Sequence, residues 1–200
     1  MKKVILSIVM VLMLTVLAGC DNKATKFVAN EIHTETIYVK KDNTIEVATV
    51  EEFDKAHYDL AELKAFIQTE IDKYNTESGS EAITINDLVL KDGNAVLVLK
   101  YNSVEDFAKF NDIDASIYTT SELKLASVNS PKAYVSAKDG STVDSEVALK
   151  NEKHNVLFVN LGTDVIVEGT IMYYDNAVLA SKNKAQTAID GTSVIVYKTK

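Results

Sequence analysis

Residues 53 to 75 read FDKAHYDLAELKAFIQTEIDKYN. Asp59 and Glu62 stand three apart, the spacing of a capping box, and Leu60, Leu63, Ile67, Ile71 and Tyr74 follow at intervals of three and four. That interval returns each side chain to the same side of an α-helix. The stretch therefore predicts an amphipathic helix over 60–74, with Leu63 and Ile67 one turn apart on its buried side, and ESGSE at 77–81 ends it.

The flanks have a different period. TIYV (36–39), the turn KKDN and TIEVATV (44–50) alternate apolar and polar residues, the pattern of a β hairpin. AITINDLVL (82–90), the turn KDGN and AVLVLKY (95–101) predict a second hairpin, with Asp92-Gly93 suited to a tight reversal. Ser103-Val104-Glu105-Asp106 then opens a shorter helix carrying Phe107 and Phe110. The order hairpin, helix, hairpin, helix, with Lys-Asp-Asn and Lys-Asp-Gly turns 50 residues apart, fits a degenerate ββα duplication or two independent uses of common turn residues.

From Ser127 the character changes. AYVSA (133–137), NVLFVNL (155–161), DVIVEG (164–169), TIMYYD (170–175), AVLA (177–180) and TSVIVYK (192–198) are short β-rich segments separated by Gly, Asp and Asn turns. Pro131, the one proline, places any subdomain boundary near 127–132. The expected class is α+β: a mixed, mainly antiparallel sheet with one longer and one shorter helix, followed by a β-rich C-terminal half, all in a single globular unit over 35–200.

Composition limits what this unit does. The chain has 200 residues, 46% of them apolar and 25% charged, enough to bury a core. All 21 basic residues are lysines and face 29 acids, with no arginine. This argues against a nucleic-acid partner, because phosphate binding needs clustered positive charge.

The N-terminus carries the clearest signal. Lys2 and Lys3 precede Val4 to Leu17, a run of 14 residues broken only by Ser7 and Thr15. That length suits the apolar region of a signal peptide and is short for a membrane span. Leu17-Ala18-Gly19-Cys20 follows and resembles the lipobox of bacterial lipoproteins. The resemblance implies a signal peptide over 1–19, a diacylglyceryl group on the Cys20 sulfur, palmitate among its acyl chains, and a mature protein beginning at Cys20. Loss of 1–19 removes two lysines and no acid, leaving 19 lysines against 29 acids, a formal charge of -10. Two acyl chains, at about 0.8 kcal/mol per buried methylene, anchor far more firmly than one. Residues 20–34 read as the lipidated cysteine and a short tether with a reach of about 20 Å. The expected location is the extracytoplasmic side of the cell membrane, with the membrane itself a partner through the lipid. Cys20 is the one cysteine, so the mature domain has no disulfide and no free thiol.

Catalytic signals are weak. His33, His57 and His154 lie 24 and 97 residues apart, without the close pairing of metal-binding helices, and no metal or other cofactor is expected. His57 lies among Glu51, Glu52, Asp54, Asp59 and Glu62, and with Asp59 it is the least poor candidate for a general base. Ser78-Gly79-Ser80 is no nucleophile elbow. In KDGSTVDSE (138–146), Asp139, Ser141, Asp144 and Glu146 offer hard oxygens for a cation, yet Gly140 follows the first acid and breaks the calcium-loop spacing, so a hairpin turn is the preferred assignment. Tyr173 and Tyr174, available as a glycan platform, are adjacent in a strand and must point to opposite faces.

The lipobox, short tether, hairpin, FDKAHYDLAELKAFIQTEIDKYN and β-rich tail together resemble a group of uncharacterised small lipoproteins of low-GC Gram-positive bacteria. That resemblance implies a location and no activity. The expectation is a noncatalytic binding or interaction module of the cell envelope, with a protein or cell-wall partner of unstated identity. The alternatives are a small cell-envelope hydrolase and a short solute-binding lipoprotein.

Overall fold

The computed structural model describes residues 27–126 and 128–199. Cys20 and the signal segment 1–19 lie outside the described residues. The fold is α+β, with two sheets and a β-rich C-terminal half.

The first hairpin pairs β1 (Thr36–Val39) with β2 (Ile45–Glu52), and its turn places Asn43 at φ 62°. After α1 (Leu60–Ser78), the second hairpin pairs β3 (Ile83–Lys91) with β4 (Asn94–Tyr101) through Asp92 and Gly93, both at positive φ. β2 pairs with β4, so the two hairpins lie side by side in the order β1-β2-β4-β3. The helix boundaries have local causes. Asp59 accepts hydrogen bonds from the amides of Ala61 and Glu62 at the start of α1, and Gly79, in the left-handed region at φ 69°, ends it. Ser103 caps α2 (Val104–Asn111) by accepting from the Asp106 amide.

The C-terminal half contributes to both sheets. β5 (Ala115–Thr119), β6 (Ala133–Ser136), β7 (Thr142–Asp144), β8 (Asn155–Val159), β10 (Gly169–Asp175) and β13 (Ser193–Thr199) form an antiparallel sheet in the order β5-β8-β13-β10-β6-β7. β9 (Asp164–Val167), β11 (Ala177–Ser181) and β12 (Lys184–Thr187) instead extend the first sheet to seven strands, β11-β12-β9-β1-β2-β4-β3. The β1–β9 pair is parallel, which makes that sheet mixed. Two short helices, α3 (Thr120–Leu125) and α4 (Ser145–Ala148), accompany the second sheet. Sheet membership thus crosses the 127–132 region: β5 precedes it and belongs to the second sheet, whereas β9, β11 and β12 follow it and belong to the first.

One core joins the layers. Ile37, Val39, Ile45, Val165 and Val167 of the first sheet pack with Leu157, Val159, Ile195 and Tyr197 of the second, and α1 and α2 add Ile71 and Phe107. The chain crosses between sheets at Gly169, where a Cβ would lie 2.1 Å from the Lys198 carbonyl oxygen, so this position takes only glycine.

Two expectations need correction. The tether predicted over 20–34 does not extend through its last residues. Ala29 and Ile32 are buried on Ala48, Val96 and Val98, Phe27 meets Tyr38 at a ring separation of 5.6 Å, and the Lys91 ammonium donates to the Asn30 carbonyl at 2.7 Å. Residues 20–26 lie outside the described residues. On α1, Ile71 is the buried anchor, with Ile67 and Tyr74 beside it, whereas Leu63 is only half-buried and outside that core. Accordingly Ile71→Ala is expected to cost about 2–5 kcal/mol through lost burial and a residual cavity. Leu63→Ala should cost less than half as much, and urea unfolding of the two variants checks the ranking.

Candidate functional site

The three histidines occupy separate surroundings. His33 is exposed at the end of the N-terminal segment, with the Lys91 ammonium 3.3 Å from its Nε2. His57 is exposed before α1 and meets Tyr58 edge-on at 4.8 Å. Its imagined partner Asp59 is committed elsewhere: Oδ1 accepts the Ala61 amide at 2.7 Å and the Glu62 amide at 3.0 Å. That carboxylate caps a helix and does not orient an imidazole.

His154 is buried at the start of β8, and its Nδ1 has no hydrogen-bond partner. Burial lowers its pKa below the ordinary imidazole value, and the positive charge of Lys198 lowers it further. The folded state therefore prefers the neutral ring. The contribution to stability is complete above the unfolded-state value, about 6.5, and is lost as pH falls through the lower folded value. Thermal unfolding between pH 7.5 and 5 should show a falling midpoint in the parent chain and a shallower fall in His154→Gln.

The acidic segment 138–146 closes the β6–β7 hairpin. Asp139 Oδ1 accepts the Ser141 hydroxyl at 2.8 Å and the Ser141 amide at 3.1 Å, and Gly140 takes φ 74°. Those bonds, the Ser141 hydroxyl first, hold the Asp139 carboxyl below the usual carboxylate value. Asp144 precedes α4 without capping it through its side chain. Among the described residues no three His, Asp or Glu side chains are grouped as metal ligands. Tyr173 packs with the outer cluster of the second sheet and Tyr174 with the inner core, on opposite faces as strand geometry requires.

The concavity that stands out lies on the outer face of the second sheet. Its volume is about 680 Å³. Phe158 and Val194 form an apolar floor, Ser116 and Thr192 add hydroxyls, and the loop around Pro131 contributes Asn129 and Ser130. Asp114 is the one carboxylate in the lining. Beneath the same face Tyr134 is buried, and that burial pushes its phenol up to about 12. The lining can hold a ligand by apolar contact and neutral hydrogen bonds, and it offers no general base paired with a nucleophile. Sequence inspection passed over this site because its residues run from Ala108 to Val194 without any local pattern. The one local signal is VNSP at 128–131, whose proline marks a junction and carries no sign of a cavity wall.

A second concavity, of about 450 Å³, separates α1 from the edge strand β3 and is lined by Lys64, Gln68, Asp72, Glu81, Thr84 and Asp87 among others. Comparison with family models, curated proteins and solved structures finds no match to this chain.

Proposed function

We propose that the chain is a lipid-anchored lipoprotein on the extracytoplasmic side of the cell membrane, and that its folded part is a noncatalytic binding module of the cell envelope. The location is supported by Leu17-Ala18-Gly19-Cys20 at the end of the apolar run. The binding role is supported by the cavity on the second sheet. Its volume lies within the range of ligand sites, and its lining is mostly apolar groups, hydroxyls and amides around a single carboxylate. Such a lining recognises shape and hydrogen-bonding groups. A short solute-binding lipoprotein is the second reading, favoured by the same volume. The hydrolase alternative loses its best pair, because Asp59 is held by α1.

Cys20→Ser is expected to abolish fatty-acid labelling and to release the protein from the membrane fraction; unchanged labelling overturns the anchor. For the cavity, a photocrosslinking residue replacing Asn129 in cells should yield a specific adduct that the same residue at exposed Lys150 does not. Identical products at both positions, or none at Asn129, would exclude the cavity as the binding surface.

A further inference from the structure

β3 is nine residues long and forms one edge of the seven-stranded sheet, with α1 running alongside it. Its backbone has a definite orientation. The Asn102 amide donates to the Ala82 carbonyl at 2.9 Å, so residue 82 faces the neighbouring strand, and antiparallel alternation turns Ile83 and Ile85 toward the open edge. Asn75 of α1 confirms this for Ile83. Its side-chain amide donates to the Ile83 carbonyl at 2.9 Å and accepts the Ile83 N–H at 2.9 Å, as the backbone of an added strand would.

The bulge between Ile85 and Asp87 shifts the register by one. The tight turn at Asp92-Gly93 joins Lys91 to Asn94 as the closing pair, so Val89 and Asp87 face β4 and Leu88 and Leu90 face outward. Ile85 and Leu88 thus present backbone donors and acceptors to the groove beneath α1, and Leu90 continues the same open edge beyond it. Its rim carries Asp72, Glu81 and Asp87 against the single cation Lys64.

We infer that this groove receives an extended, lysine-bearing peptide segment of another protein, which adds to β3 as a further strand. The occupant follows from two features. An edge with an ordered row of outward amides and a helical wall selects an extended backbone, and three carboxylates against one ammonium select a cationic side-chain pattern. The Asn75 clamp limits the added strand at the Ile83 end. This inference rests on the binding-module reading and places a protein partner at a site separate from the cavity of the second sheet.

The test uses the full chain in detergent and three acetylated octapeptides: alternating lysine and valine, the same with glutamate for lysine, and the lysine form methylated at every backbone nitrogen, so that neither edge can donate. Amide hydrogen exchange is read residue by residue. The lysine peptide should slow exchange at Ile85, Leu88 and Leu90 at least tenfold, and the other two peptides should not. Ile85→Pro removes an outward N–H without removing a bond to β4 and should abolish the effect. Should that variant fail to fold, the double change Asp72→Lys with Asp87→Lys leaves the backbone of β3 intact and should weaken binding at least tenfold. No protection at millimolar lysine peptide overturns the inference. So does protection that survives methylation, or concentration-dependent protection without peptide, which would mark the edge as a contact between copies of this chain. None of these results would disturb fatty-acid labelling at Cys20 or crosslinking at residue 129, so failure here and failure of the anchored-module reading are distinguishable.

Discussion

The structure depends on the parallel pairing of β1 with β9. Thr36 to Val39 align with Asp164 to Val167, residues separated by 128 positions in the chain. Around this pair the contacts are dense: the Glu168 amide donates to the Val39 carbonyl at 2.8 Å, the Asp164 amide to the Glu35 carbonyl at 3.2 Å, and the Lys41 amide to the Glu168 carboxylate at 3.1 Å. Without it the first sheet would end at β1 and lose β9, β12 and β11 together. The chain leaves β9 for the second sheet at Gly169 and returns to the first at Asn176, whose φ of 50° turns the strand. Two crossings in a dozen residues tie the layers to one another. A cut at Pro131 would therefore separate strands that share a sheet, which is why the change in sequence character there is not a change in packing unit.

The elements legible in the sequence were those whose pattern is local. Both hairpins and α1 announce themselves because alternation, turn residues and a cap all lie within about ten residues. β12 escaped notice for a physical reason: Lys-Ala-Gln-Thr has only Ala185 and Thr187 facing inward, both buried, and neither is strongly apolar. Its membership is secured by neighbours on both sides, β11 and β9. β5 was hidden between two helices in a segment without a turn signal. The packing of α1 was misjudged at Leu63 because periodicity identifies the side of a helix that is buried and not how far along its length the cover extends. Here the cover is concentrated near Ile71, which joins the same core cluster as Ile83 and Phe107.

Polar residues show the same division. The Asp59 cap is readable from spacing; the fate of Glu46 is not. Glu46 is buried on the outer face of the first sheet, where the Lys40 ammonium meets it at 2.5 Å and the Asn86 amide at 3.2 Å. A carboxylate removed from water requires such partners, and losing one would leave a charge uncompensated. Asn86 reaches it from the bulge of β3, 40 residues away, so an ion pair within the first hairpin is supported by the second hairpin. The cavity of the second sheet is more diffuse still: its five polar groups Asp114, Ser116, Asn129, Ser130 and Thr192 come from three separate segments of the chain, and only closure of the sheet assembles them.

Edges differ in how they are protected, and that difference isolates β3. β7 is only three residues long, and short edges offer little to pair with. β5 is neighboured by α2, from which Ala108 joins Ile113 and Ser116 around one cavity. β11 spans five residues and contains a register irregularity against β12. Among the described residues β3 is the longest strand, and its guards there are a single bulge and the Asn75 amide at one end. Asn75 satisfies the Ile83 pair and nothing beyond it. Each further outward N–H and C=O must be satisfied by solvent or by another chain. A helix laid beside such an edge narrows its access to solvent without supplying backbone partners. The groove is therefore better suited to an extended chain than to a compact ligand, and its acidic rim selects which chains approach.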